Sequence, residues 1–405
     1  MIKRWFLVAL INLLLATALG ALLRYAFVDE VAGLNFRYVL HAHSHVAMLG
    51  WIYLALYCFI VPNFIQLDNR TSKVFNRLFW VTQLSVGGML LSFPFQGYGP
   101  ISISFSTLHI LCSYYFVWKV WPHLSTKASF ATLLLRFALF FMLLSTIGVW
   151  SMGPIIAMGM KGSALYYMSV QFYLHFQFNG WFIFAILALL FKQLEAMGIQ
   201  LPPGKTRQFF GLLVLSCFLT YALAVAWSQP LLIIFIINSV GVLIQLLALW
   251  LLFRIIQPLW ASLIARFDGL ERSLLQVAIF SFGLKIMAQA AVAVPFVAEA
   301  AYTIRNYVIG FIHLVLLGVI SAFLFSLAYQ GGILDRKASL VRIGIVTFVC
   351  GILLSELLLF LQGTLLWGAM GFLPFYYEIL FAFSALMPFG ILLTLIGWFL
   401  DKSRV

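Results

Sequence analysis

Read for apolar and polar positions alone, the chain is a succession of long apolar runs separated by short polar breaks. A bilayer core takes about 20 mostly apolar residues per helix. Twelve runs reach that length, at roughly 5–23, 39–62, 76–96, 101–120, 130–151, 164–191, 208–227, 229–253, 271–295, 304–329, 340–363 and 374–400. They are apolar on all sides, as helices are when surrounded by lipid or protein. The breaks carry glycine and proline, as in "QGYGP" at 96–100, "LPPG" at 201–204 and "YQGG" at 329–332, which punctuate helices. The pattern predicts an all-α membrane protein of twelve transmembrane helices. It reads as a single integral membrane domain over 1–405, without an internal repeat. Residues 254–272 carry charges at both ends of an apolar centre, the mark of an amphipathic surface helix or of a longer loop.

Composition reinforces this reading. The chain of 405 residues is 64% hydrophobic and 9% charged, outside the range of soluble domains. The net charge of +13 would point to nucleic acid only if its distribution were ignored. With the N-terminus placed in the cytoplasm, the 24 Lys and Arg fall on the cytoplasmic side except for Arg24, Arg37, Lys161, Arg305 and the in-span Lys285. That asymmetry is the positive-inside rule, so the basic excess reports topology, with both termini cytoplasmic and no nucleic-acid partner. The run at 5–23 ends at Arg24 without a clear cleavage site and reads as a first span rather than a signal peptide. Cys58, Cys112, Cys217 and Cys350 lie inside apolar helices with no CxxC pair, and read as buried apolar packing groups.

What the apolar pattern does not explain is histidine. The stretch "FRYVLHAHSHVAMLGW" opens the second run with His41, His43 and His45, while His109, His175 and His313 lie about ten residues into the fourth, sixth and tenth. With alternating topology these depths all fall in the outer half of the bilayer. His123 sits in a loop and reads as solvated. One such histidine is ordinarily a packing residue, but intramembrane ionisable groups mark function, and imidazole is the common ligand of haem iron and copper. His41 and His45 share a helical face and His43 points roughly opposite, so one helix addresses two sites.

Three motifs give these histidines a family likeness. "RYVLHAHSHVAMLGW" followed by "IVPN", "YVIGFIHLVLLG" at the tenth run and "HFQFNG" at the sixth resemble subunit I of the haem-copper oxidases, nitric oxide reductases and NnrS-like proteins included. The resemblance implies that family's twelve-helix bundle in a bacterial inner membrane. It assigns His41 and His313 as the two axial ligands of a low-spin b-type haem, and matches His175 to a copper ligand. Arg24, Arg37 and Arg305 lie near the outer interface, where haem propionates would emerge, and read either as clamps for those carboxylates or as interfacial anchors. The departures are as informative. The seventh run, "FGLLVLSCFLTYALAVAW", has no His-His pair, the high-spin haem ligand is replaced by Phe311, and Asn179 stands where nitric oxide reductases have Glu. Dioxygen reduction therefore has no site. His43, His45, His109 and His175 are left as candidate ligands of a second metal, copper by likeness, or as hydrogen-bonded packing residues.

The expected function is a haem-binding cytochrome for electron transfer or for sensing nitric oxide or dioxygen. Its electrons would be exchanged with a separate donor protein or with quinol. The alternatives are an oxidoreductase with a rearranged metal site, and a haem-free twelve-helix transporter, although the broken helices and paired half-repeats of transporters are not evident. Lys285 and Glu356, inside the ninth and eleventh runs, read either as members of a proton or ion path or as paired structural charges.

Overall fold

The computed structural model describes residues 1–124, 129–267 and 269–402, and these are helical with no strand among them. Twelve helices are long and apolar enough to cross a membrane. They are Ile2–Tyr25, Phe36–Phe64, Asn69–Gln96, Pro100–His123, Phe130–Ala157, Ala164–Ala196, Pro203–Ala226, Leu232–Ile264, Gly269–Ala291, Arg305–Gln330, Ser339–Trp367 and Tyr376–Leu400. Each expected run matches one of them, in the manner of a multi-pass integral membrane protein. Their starts are set by local chemistry. Asn35, Asp68, Ser129 and Ser163 each accept a hydrogen bond from a backbone N–H three residues on, satisfying donors that a helix start leaves open. The Thr71 amide also holds the Asp68 carboxyl below the usual carboxylate range. Pro100 and Pro203 begin the fourth and seventh spans, where a missing N–H costs nothing.

By its contacts the chain groups into two compact units. The first comprises residues 1–123, 269–278 and 312–405, and the second residues 124–268 and 279–311. In the first, glycines let backbones approach. A Cβ at Gly50 of the second span would lie 2.8 Å from Val86 Cγ1 of the third and 3.1 Å from Asn12 of the first. Gly344 and Gly390 do the same between the eleventh and twelfth spans, each lying against the other's carbonyl, the small-residue contact expected where lipid supplies no hydrophobic drive between helices. In the second unit, Gly148 of the fifth span lies against the Ser169 carbonyl of the sixth, and Gly180 against Phe141.

The second, sixth and tenth spans share a construction that hydropathy does not reveal. Each begins as an α-helix, winds as a π-helix directly after a histidine, and resumes as α. The π-helical segments are Val46–Tyr53, Phe176–Phe182 and Leu314–Ser321, following His45, His175 and His313. Such winding concentrates at functional sites because it displaces carbonyls from their usual partners, and side chains meet them here. Asn12 Nδ2 donates to Gly50 O at 3.0 Å, and Ser321 Oγ donates to Leu316 O while accepting the Trp51 indole N–H at 2.7 Å. Burial changes at the same point. Residues 48–61, 180–189 and 318–329 are buried without exception, whereas residues 305–313 are all partly or fully exposed and only Ser169 is buried among 164–174. The half of each span before the histidine is thus loosely enclosed, and the half after it is core.

Two expectations are refined. The eighth span runs on through a short 3₁₀ turn to Ile264, so residues 254–264 are its continuation, and helix resumes at Gly269. Cys58, Cys112 and Cys217 are buried, but Cys350 is exposed, because it lies off the packed face of the eleventh span that carries Gly344, Phe348, Gly351 and Ser355. His123, expected in a loop, is exposed at the end of the 3₁₀ turn Trp121–His123 that closes the fourth span.

Candidate functional site

In the first unit the second span points its histidines in two directions. Toward the first span, the His43 Nδ1–H donates to Ala16 O at 2.8 Å. The ring fits because position 20 is glycine, where a Cβ would lie 2.9 Å from His43 Cε1. The same ring is electrostatically coupled to His313 of the tenth span and to Arg24 of the first. His313 Nδ1 meets Glu356 Oε1 of the eleventh span at 3.2 Å, and Glu356 in turn feels Arg24. Arg24, His43, His313 and Glu356, from four spans of one unit, thus lie near one another.

The opposite face carries His41 and His45. The His41 ring lies edge-on to Tyr98 at 4.7 Å and near Phe93 at 6.0 Å, and Arg37 is its charged neighbour. His45 Nδ1–H donates to His41 O at 2.8 Å, and its ring lies 4.4 Å from Phe93. His109 of the fourth span lies near His45, and its ring stands edge-on to Tyr53 at 4.7 Å. The division of the second span into two faces follows the helical spacing read from the sequence. Arg37 and Arg305 are exposed at the starts of their spans.

In the second unit, His175 is wired differently. Cys217 O can only accept, so the 2.8 Å contact from His175 Nε2 fixes the proton there, and Nδ1 accepts from Asn179 Nδ2 at 3.3 Å. Both ring nitrogens are occupied. Lys285, 2% exposed, is coupled to His175 and to the Cys217 thiol. Among the described residues it has neither an ion pair nor a hydrogen bond. Ser281 and Gln289 continue its buried face one turn to either side.

Imidazoles that ligate metal almost always donate their second ring N–H to a carboxylate or backbone carbonyl, which fixes the tautomer and leaves the other nitrogen free. His43 has this arrangement through Ala16 O, and His313 has it through Glu356 when that carboxyl is ionised. The residues present thus fit a group taking one imidazole from each of two spans. A multi-ligand metal centre is a different matter. Among the described residues no three His, Cys, Asp or Glu side chains gather into a group that could hold a metal ion. The expected set of His43, His45, His109 and His175 is divided: His43 is on one face of its span, His45 and His109 are on the other, and His175 has no nitrogen to spare.

Some of this was not evident from the chain alone. Gly20 is one small residue in an apolar run, and Glu356 is the only acid in the eleventh span; neither showed that it would meet a histidine. The winding after His45, His175 and His313 has no compositional mark. Searches by sequence add no assignment, since no protein-family model matches the chain and no curated protein is similar to it.

Proposed function

We propose that the protein is a multi-pass membrane cytochrome of the bacterial inner membrane, holding one b-type haem in its first unit and serving electron transfer or the sensing of nitric oxide or dioxygen. The observation that carries this reading is that His43 and His313, on two spans of one unit, each have Nδ1 engaged by a fixed acceptor, Ala16 O and Glu356. His313 is one of the two ligands that the haem-copper oxidase resemblance assigns. The geometry favours His43 over His41 as its partner, because the His41 ring lies against Tyr98 and Phe93 on the other face of the second span.

When bound, haem supplies a reversible one-electron couple. The chain's own residues do the rest. Ala16 O and Glu356 orient the two imidazoles and hold their Nδ1 protons. Gly20 gives the His43 ring its place, and Arg24 offers a guanidinium, the natural partner of a carboxylate, nearby. His43 and His313 would each hold the group through one imidazole, an arrangement that would suit electron transfer. Copper and dioxygen reduction are not part of the proposal: His175 is fully hydrogen-bonded, Phe311 stands where a second haem would need its ligand, and the seventh span supplies no histidine. The electron partner is then a separate protein or a membrane quinol.

The test is the absorption spectrum of detergent-purified protein. A Soret band with sharp α and β bands on reduction is expected. A colourless protein that takes up no haem on reconstitution would overturn the reading.

A further inference from the structure

A cavity of about 480 Å³ lies in the first unit, away from the histidines. Its walls come from one end of four spans: Lys3 at the start of the first, Gln330 at the end of the tenth, Lys337 in the connection that follows, Val341 at the start of the eleventh, and Trp398 near the end of the twelfth. Leu334, Val341 and Trp398 give it a buried apolar floor. Arg336 and Asp335 complete the polar rim.

The charges at this rim are not balanced from within. Arg336 is committed to Glu271, through Nη2 to Oε2 at 3.1 Å and Nε to Oε1 at 2.5 Å. Asp335 Oδ1 accepts the backbone N–H of Lys337 at 2.8 Å. The ammonium groups of Lys3 and Lys337 have no hydrogen bond or ion pair among the described residues. The positive-inside rule explains why lysines gather at this end of the spans, but it does not require them to border a concavity with an apolar floor. Two unpaired ammonium groups bordering a concavity at the end of membrane spans match the anionic phosphate of a lipid head group, which the membrane places at this level. Basic pockets at helix ends on the cytoplasmic side bind such head groups, and tryptophan at this level favours the interface.

We propose that this cavity is a binding site for the phosphodiester head group of an anionic phospholipid, with Lys3 and Lys337 as its phosphate contacts. The proposal does not depend on haem. It is tested by native mass spectrometry of the full chain in detergent, titrated with phosphatidylglycerol, phosphatidylcholine and inorganic phosphate. Phosphatidylglycerol adducts are expected at concentrations where phosphatidylcholine gives none. The double variant Lys3→Gln, Lys337→Gln should weaken phosphatidylglycerol binding about 30-fold, the product of two surface charges, and leave phosphatidylcholine unchanged. Both lysines are exposed, so the variant should keep the helicity and particle size of the parent. Equal binding of the two lipids, or phosphatidylglycerol binding untouched by the double variant, overturns the proposal. Displacement of the lipid by millimolar inorganic phosphate would assign the cavity to a soluble phosphate and overturn the lipid source.

Discussion

His313 and His175 occupy the same place in their spans and do different work. Each ends an α-helical segment and is followed at once by a π-helical one. In the first unit, His313 meets a single partner, the Glu356 carboxylate, through Nδ1. In the second, His175 donates from Nε2 to the Cys217 carbonyl and accepts at Nδ1 from Asn179. A histidine with one nitrogen fixed and one uncommitted is oriented to serve as a ligand, the role we propose for His313, whereas a histidine with both committed has no nitrogen to offer. The eleventh span makes the difference by supplying an acid beside His313, while the seventh presents only a backbone carbonyl to His175. The local winding is common to both spans, so it marks where such a site can be built and not whether it is built.

The sharpest way to break the comparison is to remove each imidazole. His313→Ala should abolish bound haem, and His175→Ala should leave haem content at the parental level, both measured as pyridine haemochrome per chain. Loss of haem from His175→Ala with retention in His313→Ala would reverse the roles assigned here. A smaller effect is expected one shell out. Glu356→Ala removes the acceptor that orients His313, and partners of this kind are worth about 10–100-fold in metal affinity. Haem retention through dilution and gel filtration should fall by that factor, while Asn179→Ala, the counterpart change in the second unit, leaves it unaltered. Gly20→Ala is milder still. The added methyl, 2.9 Å from His43 Cε1, tilts the ring, broadening the reduced α band and weakening haem binding several-fold; an unchanged spectrum would mean that His43 is not a ligand. Least of all, His175→Phe should lower thermal stability by about 1 kcal/mol, the usual worth of a hydrogen bond between membrane helices, with no spectral change.

How far the chain itself disclosed this arrangement depends on the physical signal. The twelve spans were legible because a 20-residue apolar run has few other uses, and their observed limits fall within a few residues of the runs for most of them. The two faces of "HAHSH" were legible too, since 100° per residue separates His43 from His41 and His45. Which neighbour each face would meet was not, because one chain carries no record of which apolar helices pack together. Ala16 and Gly20 opposite His43 are therefore structural findings, and so is the pairing of Glu356 with His313, whose acid had been open to reading as part of a proton or ion path. Lys285 lay open to the same two readings. It is buried, and among the described residues it has no ion pair, so pairing within them does not explain it.

Exchanging one imidazole for a thioether distinguishes His43 from His41 as the partner of His313. His43→Met and His41→Met are compared with the parent by low-temperature electron paramagnetic resonance of the oxidised protein and by redox titration. His43→Met is expected to replace the bis-imidazole signal with that of a His–Met pair and to raise the midpoint potential, as methionine ligation does, while His41→Met matches the parent in both. A changed signal in His41→Met, with His43→Met indistinguishable from the parent, would contradict the proposed pairing of His43 with His313.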